Sequence, residues 1–127
     1  MEGEDKPSST PSPHSDRRGL HAARTRELND ALRMHGHGAG HIVITRGVSL
    51  LGAAAVDAIV GQLRAFDTFT LDNDPFGEHD MGTLEWRGLK LFWKIDYYDR
   101  KLQFASPDPA DPSLTTRVLT VMLAVEY

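Results

Sequence analysis

Between Leu84 and Tyr97 the apolar residues fall at every second position. Leu84 and Trp86 alternate with Thr83 and Glu85, Arg87 and Gly88 follow, and Leu89, Leu91, Trp93, Ile95 and Tyr97 continue the stripe. A period of two belongs to a strand with one buried face, and two turn residues between two such runs make a β-hairpin. A helix would scatter the same residues around its circumference. Trp93, in the middle of the stripe, is therefore expected in the core.

The rest of the chain has to build around that hairpin. Asp99, Arg100 and Lys101 predict a turn, and Leu102 with Phe104 a third short strand, completing an antiparallel meander. The run Ile42, Val43, Ile44 is β-branched and bounded by turn residues, so it reads as one additional strand, able to pair in parallel after a crossover. Val56, Ile59, Val60 and Leu63 obey the i, i+3, i+4, i+7 rule behind Ala53–Ala55, which predicts a core helix, with Gly61 tolerated inside it for close packing. Asp111 as N-cap, Pro112 as first helical residue, and Leu114, Val118, Val121, Met122 and Val125 predict a second core helix at the C-terminus.

Residues 16–34 lack proline and show only a weak apolar face of Leu28, Ala31 and Leu32, so a peripheral helix is expected there. Before it, residues 1–15 hold three prolines and nothing apolar after Met1, the composition of a disordered tail. After it, residues 35–41 form a Gly/His connector. The expected class is α+β, a single domain over 16–127, with a three-stranded meander plus one strand packed by two core helices.

Composition bounds the function. The chain of 127 residues has no cysteine, which excludes a disulfide scaffold, a thiolate metal site and a cysteine nucleophile, and fits the cytoplasm. Its longest uncharged stretch is far shorter than the roughly 20 residues of a membrane span, so no membrane association is expected. A net charge of -4 argues against a general grip on nucleic acid. Walker, dinucleotide, nucleophile-elbow and HExxH signatures are missing.

Four groups of residues could still carry chemistry. Asp67, Asp72, Asp74, Glu78, His79 and Asp80 gather hard oxygen ligands on one segment, and Asp72, Asp74 and Asp80 are the candidates for a divalent ion. The EF-hand pattern fails, because Phe76 and Thr83 stand where ligands belong. The simpler expectation is that these acids cap backbone amides around Pro75 and Gly77. Asp96 shares a strand face with Phe92, Lys94 and Tyr98 and, if a helix covers that face, needs a donor from Lys94, Arg100 or Arg117; alternatively it is a general base or metal ligand facing His79, whose imidazole exchanges protons. His35, His37 and His41 read as a connector in place of a metal site. Arg17, Arg18, Arg24 and Arg26 could touch nucleic-acid phosphates or an acidic protein surface, but a solvated helix face is the simpler expectation.

The segments Asp72–Asp80, Phe92–Asp99, Ser106–Pro112 and Thr116–Thr120, in this order, give the chain a family likeness. Over roughly Arg26 to Tyr127 it resembles the bacterial family called domain of unknown function 3768. The resemblance implies an accessory protein of bacterial chromosomes, plasmids or other mobile elements and supplies no catalytic residue. Together these readings favour a non-catalytic module that binds another macromolecule, most simply a protein, without a cofactor. The alternative is a divalent-metal-dependent hydrolase or phosphodiesterase built on the acidic segment.

Overall fold

The structure is a computed structural model and describes residues 13–36 and 40–127. Helix α1 (Pro13–His35) leads to strand β1 (Gly40–Ile44), a short turn of helix α2 (Arg46–Ser49) and helix α3 (Ala53–Ala65). Strands β2 (Met81–Trp86), β3 (Leu89–Tyr98) and β4 (Thr116–Leu123) follow, and a 3₁₀ turn over Ala124–Glu126 ends the chain. The four strands form one mixed sheet in the order β1-β4-β3-β2, with β1 parallel to β4 and the other pairs antiparallel. The α+β class is as expected.

The hairpin forms as its alternation requires. Arg87 and Gly88 both have positive φ, 49° and 82°, the signature of a two-residue turn whose twist matches the strands. Leu91, Trp93 and Ile95 are buried on one face, and Trp93 is fully enclosed with Ile59, Leu63, Leu119 and Val121 among its core companions. Gly82, directly across from Trp93, lets the strands and α3 close up: a Cβ there would stand 2.6 Å from both Phe66 Cζ and Trp93 Nε1. Gly61 has no such role, since a Cβ at that position would meet nothing within 4 Å.

Several expectations need correction. The C-terminal helix is instead strand β4, whose Thr116, Val118, Thr120 and Val121 are β-branched. It is an inner strand with buried residues on both faces, Leu119 and Val121 on one and Met122 on the other, so its apolar positions satisfied a helical spacing by accident. Asp111 does accept from Ser113 N at 2.9 Å, but as a turn and not a helix cap. With β4 beside β3, residues 102–104 have no place in the sheet, and only a Tyr98–Ala105 bridge remains. The meander exists, but its third strand comes after the proline-rich loop.

The second core helix is α1. It was expected at the periphery, yet Thr25, Asn29, Leu32 and Arg33 are buried and Leu32 joins the core cluster. Its start is also earlier than residue 16, because Pro13 fits a first helical turn, whose N–H groups lack helical partners anyway. Of the expected tail, residues 1–12 lie outside the described residues, and 13–15 are helical. Of the connector, His35 ends α1, Gly36 closes it at φ 71° with its N–H on Leu32 O, and Gly40 and His41 belong to β1. His37 lies outside the described residues. Among the described residues no helix is long and apolar enough to cross a membrane.

Candidate functional site

The acidic segment runs from the end of α3 to the start of β2, and its own side chains shape it. Thr70 N donates to Asn73 Oδ1 at 2.8 Å, and Asn73 Nδ2 to Thr68 O at 2.9 Å. Asp74 is buried and accepts from the backbone N–H groups of Glu78 and His79 at 3.0 and 3.1 Å through one oxygen. Gly77 at φ 66° and His79 at φ 56° complete the turn. Left-handed backbone is strained for histidine, so the surroundings must hold it.

That hold comes from α1. Arg26, Asn29, Asp30 and Arg33 stand at i, i+3, i+4 and i+7, a single helical face. Arg26 Nη1 donates to Gly77 O at 2.9 Å and Asn29 Nδ2 to Glu78 O at 3.0 Å. The Asp30 carboxylate lies 3.0 Å from His79 Nδ1 and receives Arg33 Nη2 at 3.1 Å. Arg33 also donates to Leu63 O and Phe66 O, at 3.0 and 2.8 Å, fastening the end of α3 to the same helix. Three consecutive loop residues are thus latched by three helix residues.

His79 is the centre of the latch. Its ring stacks on Phe69 with centroids 3.7 Å apart and planes 7° from parallel. Nε2 stands 3.6 Å from the second oxygen of Asp74, so each ring nitrogen faces a carboxylate. Beside it, an open depression of about 530 Å³ is lined by Asp30, Arg33, Phe66, Asp67, Phe69 and His79 among others.

Behind the latch lies a buried polar cluster. Arg117 Nε donates to Asn29 Oδ1 at 2.8 Å, Asn29 Nδ2 reaches Tyr97 Oη at 2.8 Å, and Tyr97 Oη reaches Asp80 at 3.3 Å. Burial holds the Asp80 and Glu78 carboxyls above the usual carboxylate range, and their acidic neighbours add to it. Burial likewise raises the Tyr97 hydroxyl far above its ordinary value and lowers Arg117.

The candidate residues therefore separate. His79 and Asp74 meet, Asp80 faces Tyr97, and Asp72 is exposed. Among the described residues no three His, Cys, Asp or Glu side chains are grouped to hold an ion. Asp96 pairs with Lys94 at 2.8 Å on the sheet face opposite Trp93, and that hydrogen bond raises the Lys94 ammonium. It does not face His79, whose carboxylate partners are Asp30 and Asp74. Of the candidate basic patch, Arg26 is turned onto the loop and Arg24 pairs with Glu27, while the side chains of Arg17 and Arg18 lie outside the described ones. Asn29, Asp30 and Arg33 have no part in the apolar periodicity that predicts a helix here. The signal was present as a polar stripe of the same spacing.

Phe66 and Phe69 of the loop pack against the core, but two of its apolar side chains, Leu71 and Phe76, are turned out. Leu71 is 84% exposed and Phe76 77% exposed. No curated protein and no solved structure matches this chain. A family described as "Protein of unknown function (DUF3768)" matches residues 44–126, which takes in the loop, β2 to β4 and the 3₁₀ turn but not α1. The chain belongs to the DUF3768 family of proteins of unknown function.

Proposed function

We propose that this protein is a non-catalytic module that binds another protein through the tip of the 66–80 loop. One observation carries the reading: the loop is bonded to its own backbone and to α1 through Asn73, Asp74 and His79, while it leaves Leu71 and Phe76 84% and 77% exposed. Binding energy concentrates in a few apolar or aromatic anchors, and an anchor on a preordered loop loses little entropy on docking. Asp67 and Asp72, both exposed on the same loop, favour an apolar pocket with a basic rim as the complementary surface. The lack of cysteine suits work in a reducing compartment, the cytoplasm.

The hydrolase alternative would have to release Asp74 from two amides and Asp80 from Tyr97 before either could face an ion. The test is affinity capture from the native host with the wild type and with Leu71→Ser/Phe76→Ser. A partner retained by the first and lost by the second, at equal melting temperature, supports the reading. Capture indifferent to both substitutions overturns it.

A further inference from the structure

Ile95 N donates to Asp80 O at 2.8 Å, and the same register pairs Gly82 with Trp93 and Leu84 with Leu91. Alternate residues of an antiparallel strand bond to the same neighbour, so the amides and carbonyls of Gly82, Leu84 and Trp86 face β3. Those of Met81, Thr83 and Glu85 face away. Because β2 is the last strand of the sheet, these groups line an open edge. Natural sheets guard such edges with proline, charged side chains and lysine above all, a bulge or a cover, and β2 carries only the single charge of Glu85. β2 contains neither proline nor lysine, and its pairing is unbroken from Met81 to Trp86.

We infer that β2 is a dimerisation edge occupied by the β2 strand of a second copy, antiparallel across a two-fold axis at Thr83. Two four-stranded sheets then become one of eight. The strand is self-complementary about that axis: Thr83 meets Thr83, Gly82 meets Leu84, and Met81 meets Glu85 of the second copy. A two-fold contact must use the same patch on both chains, and this one opposes no like charges. Thr–Thr is a favourable cross-strand pair, and Met81, 46% exposed, gains cover. An axis at Glu85 would oppose two carboxylates.

The full chain is examined by light scattering at micromolar concentration. Twice the 14.1 kDa chain mass is expected, and a wild type that stays monomeric overturns the inference. Thr83→Pro deletes an outward N–H and leaves the hairpin ladder intact, so a monomer with unchanged circular dichroism is expected. A dimer that survives it is contrary evidence. The chain has no cysteine, so Thr83→Cys gives an independent reading that does not depend on Thr83→Pro folding. Directly opposed residues lie about 5.5 Å apart between Cα atoms, within disulfide reach. Mild oxidation should yield a covalent dimer, and its absence would exclude this register.

Discussion

Asn29→Ala tests whether α1 is anchored by its polar stripe. Asn29 has 0% exposure and makes three hydrogen bonds: to Glu78 O, to Tyr97 Oη and from the Arg117 guanidinium. A neutral bond contributes about 1 kcal/mol net, and one to a charged group about 1.5–3 kcal/mol. Truncation leaves all three partners underneath the helix without the groups that satisfied them, so the expected loss is about 3–5 kcal/mol. For a domain of this size that lowers the melting temperature by more than about 10 °C. Urea unfolding followed by circular dichroism measures it. A double-mutant cycle with Tyr97→Phe should be non-additive by about 1 kcal/mol, because the two side chains share a bond. Chymotrypsin cleavage after Phe76 should also accelerate once the loop is unlatched. A loss below about 1 kcal/mol, as for an ordinary surface helix position, would refute the docking of α1 through this residue.

Gly61→Ala should raise stability by up to about 1 kcal/mol in the same urea assay, since the site is helical and the added methyl has open space. Asp80 has a folded carboxyl raised by burial and by Asp74, so the folded state holds its proton at pH values where the unfolded chain has released it. Its contribution to stability therefore declines as pH rises from the usual carboxylate range through the raised value. Asp80→Asn should gain stability relative to wild type between acid and neutral pH; a difference that does not vary with pH would contradict this. Millimolar magnesium, manganese or calcium should leave the melting temperature unchanged, and Asp72→Asn should be neutral, whereas ion-dependent stabilisation lost in Asp72→Asn would restore the metal reading.

The hairpin was legible because each of its determinants is local: alternation from Leu84 to Tyr97 and a two-residue turn at Arg87-Gly88. The parallel strand at Ile42 and the helix of Val56, Ile59 and Leu63 were legible for the same reason. β4 was not, since an inner strand with apolar residues on both faces has no alternation to read, and a run such as Val118, Val121, Met122 matches either period. Its β-branched threonines and valines were the better guide. At the site, the capping role of Asp74 and the Asp96–Lys94 pair could be anticipated from residue type and spacing within the segment. The contacts of His79 with Asp30 and of Asn29 with Glu78 span 49 residues, and no local pattern specifies them.

A polar latch does something an apolar one would not. Apolar contacts are non-directional, so a helix held by them alone could turn or slide at little cost. Arg26, Asn29 and Asp30 must instead meet the carbonyls of Gly77 and Glu78 and the ring of His79 together. Rotating α1 by one residue, about 100°, would break all three at once. The position of α1 and the conformation of the loop are therefore a single variable. The loop side of this contact lies inside the matched span of 44–126, and the helix side lies outside it. A chain cut to that span would keep the capping by Asp74, but it would lose every bond from the 26–33 stripe, the Leu32 contribution to the core and nearly all of β1. His79 would then hold its left-handed backbone with only Asp74 and Phe69 beside it, and the tip bearing Leu71 and Phe76 would no longer be fixed against the sheet. The presentation of the tip is thus a property of α1 as much as of the loop.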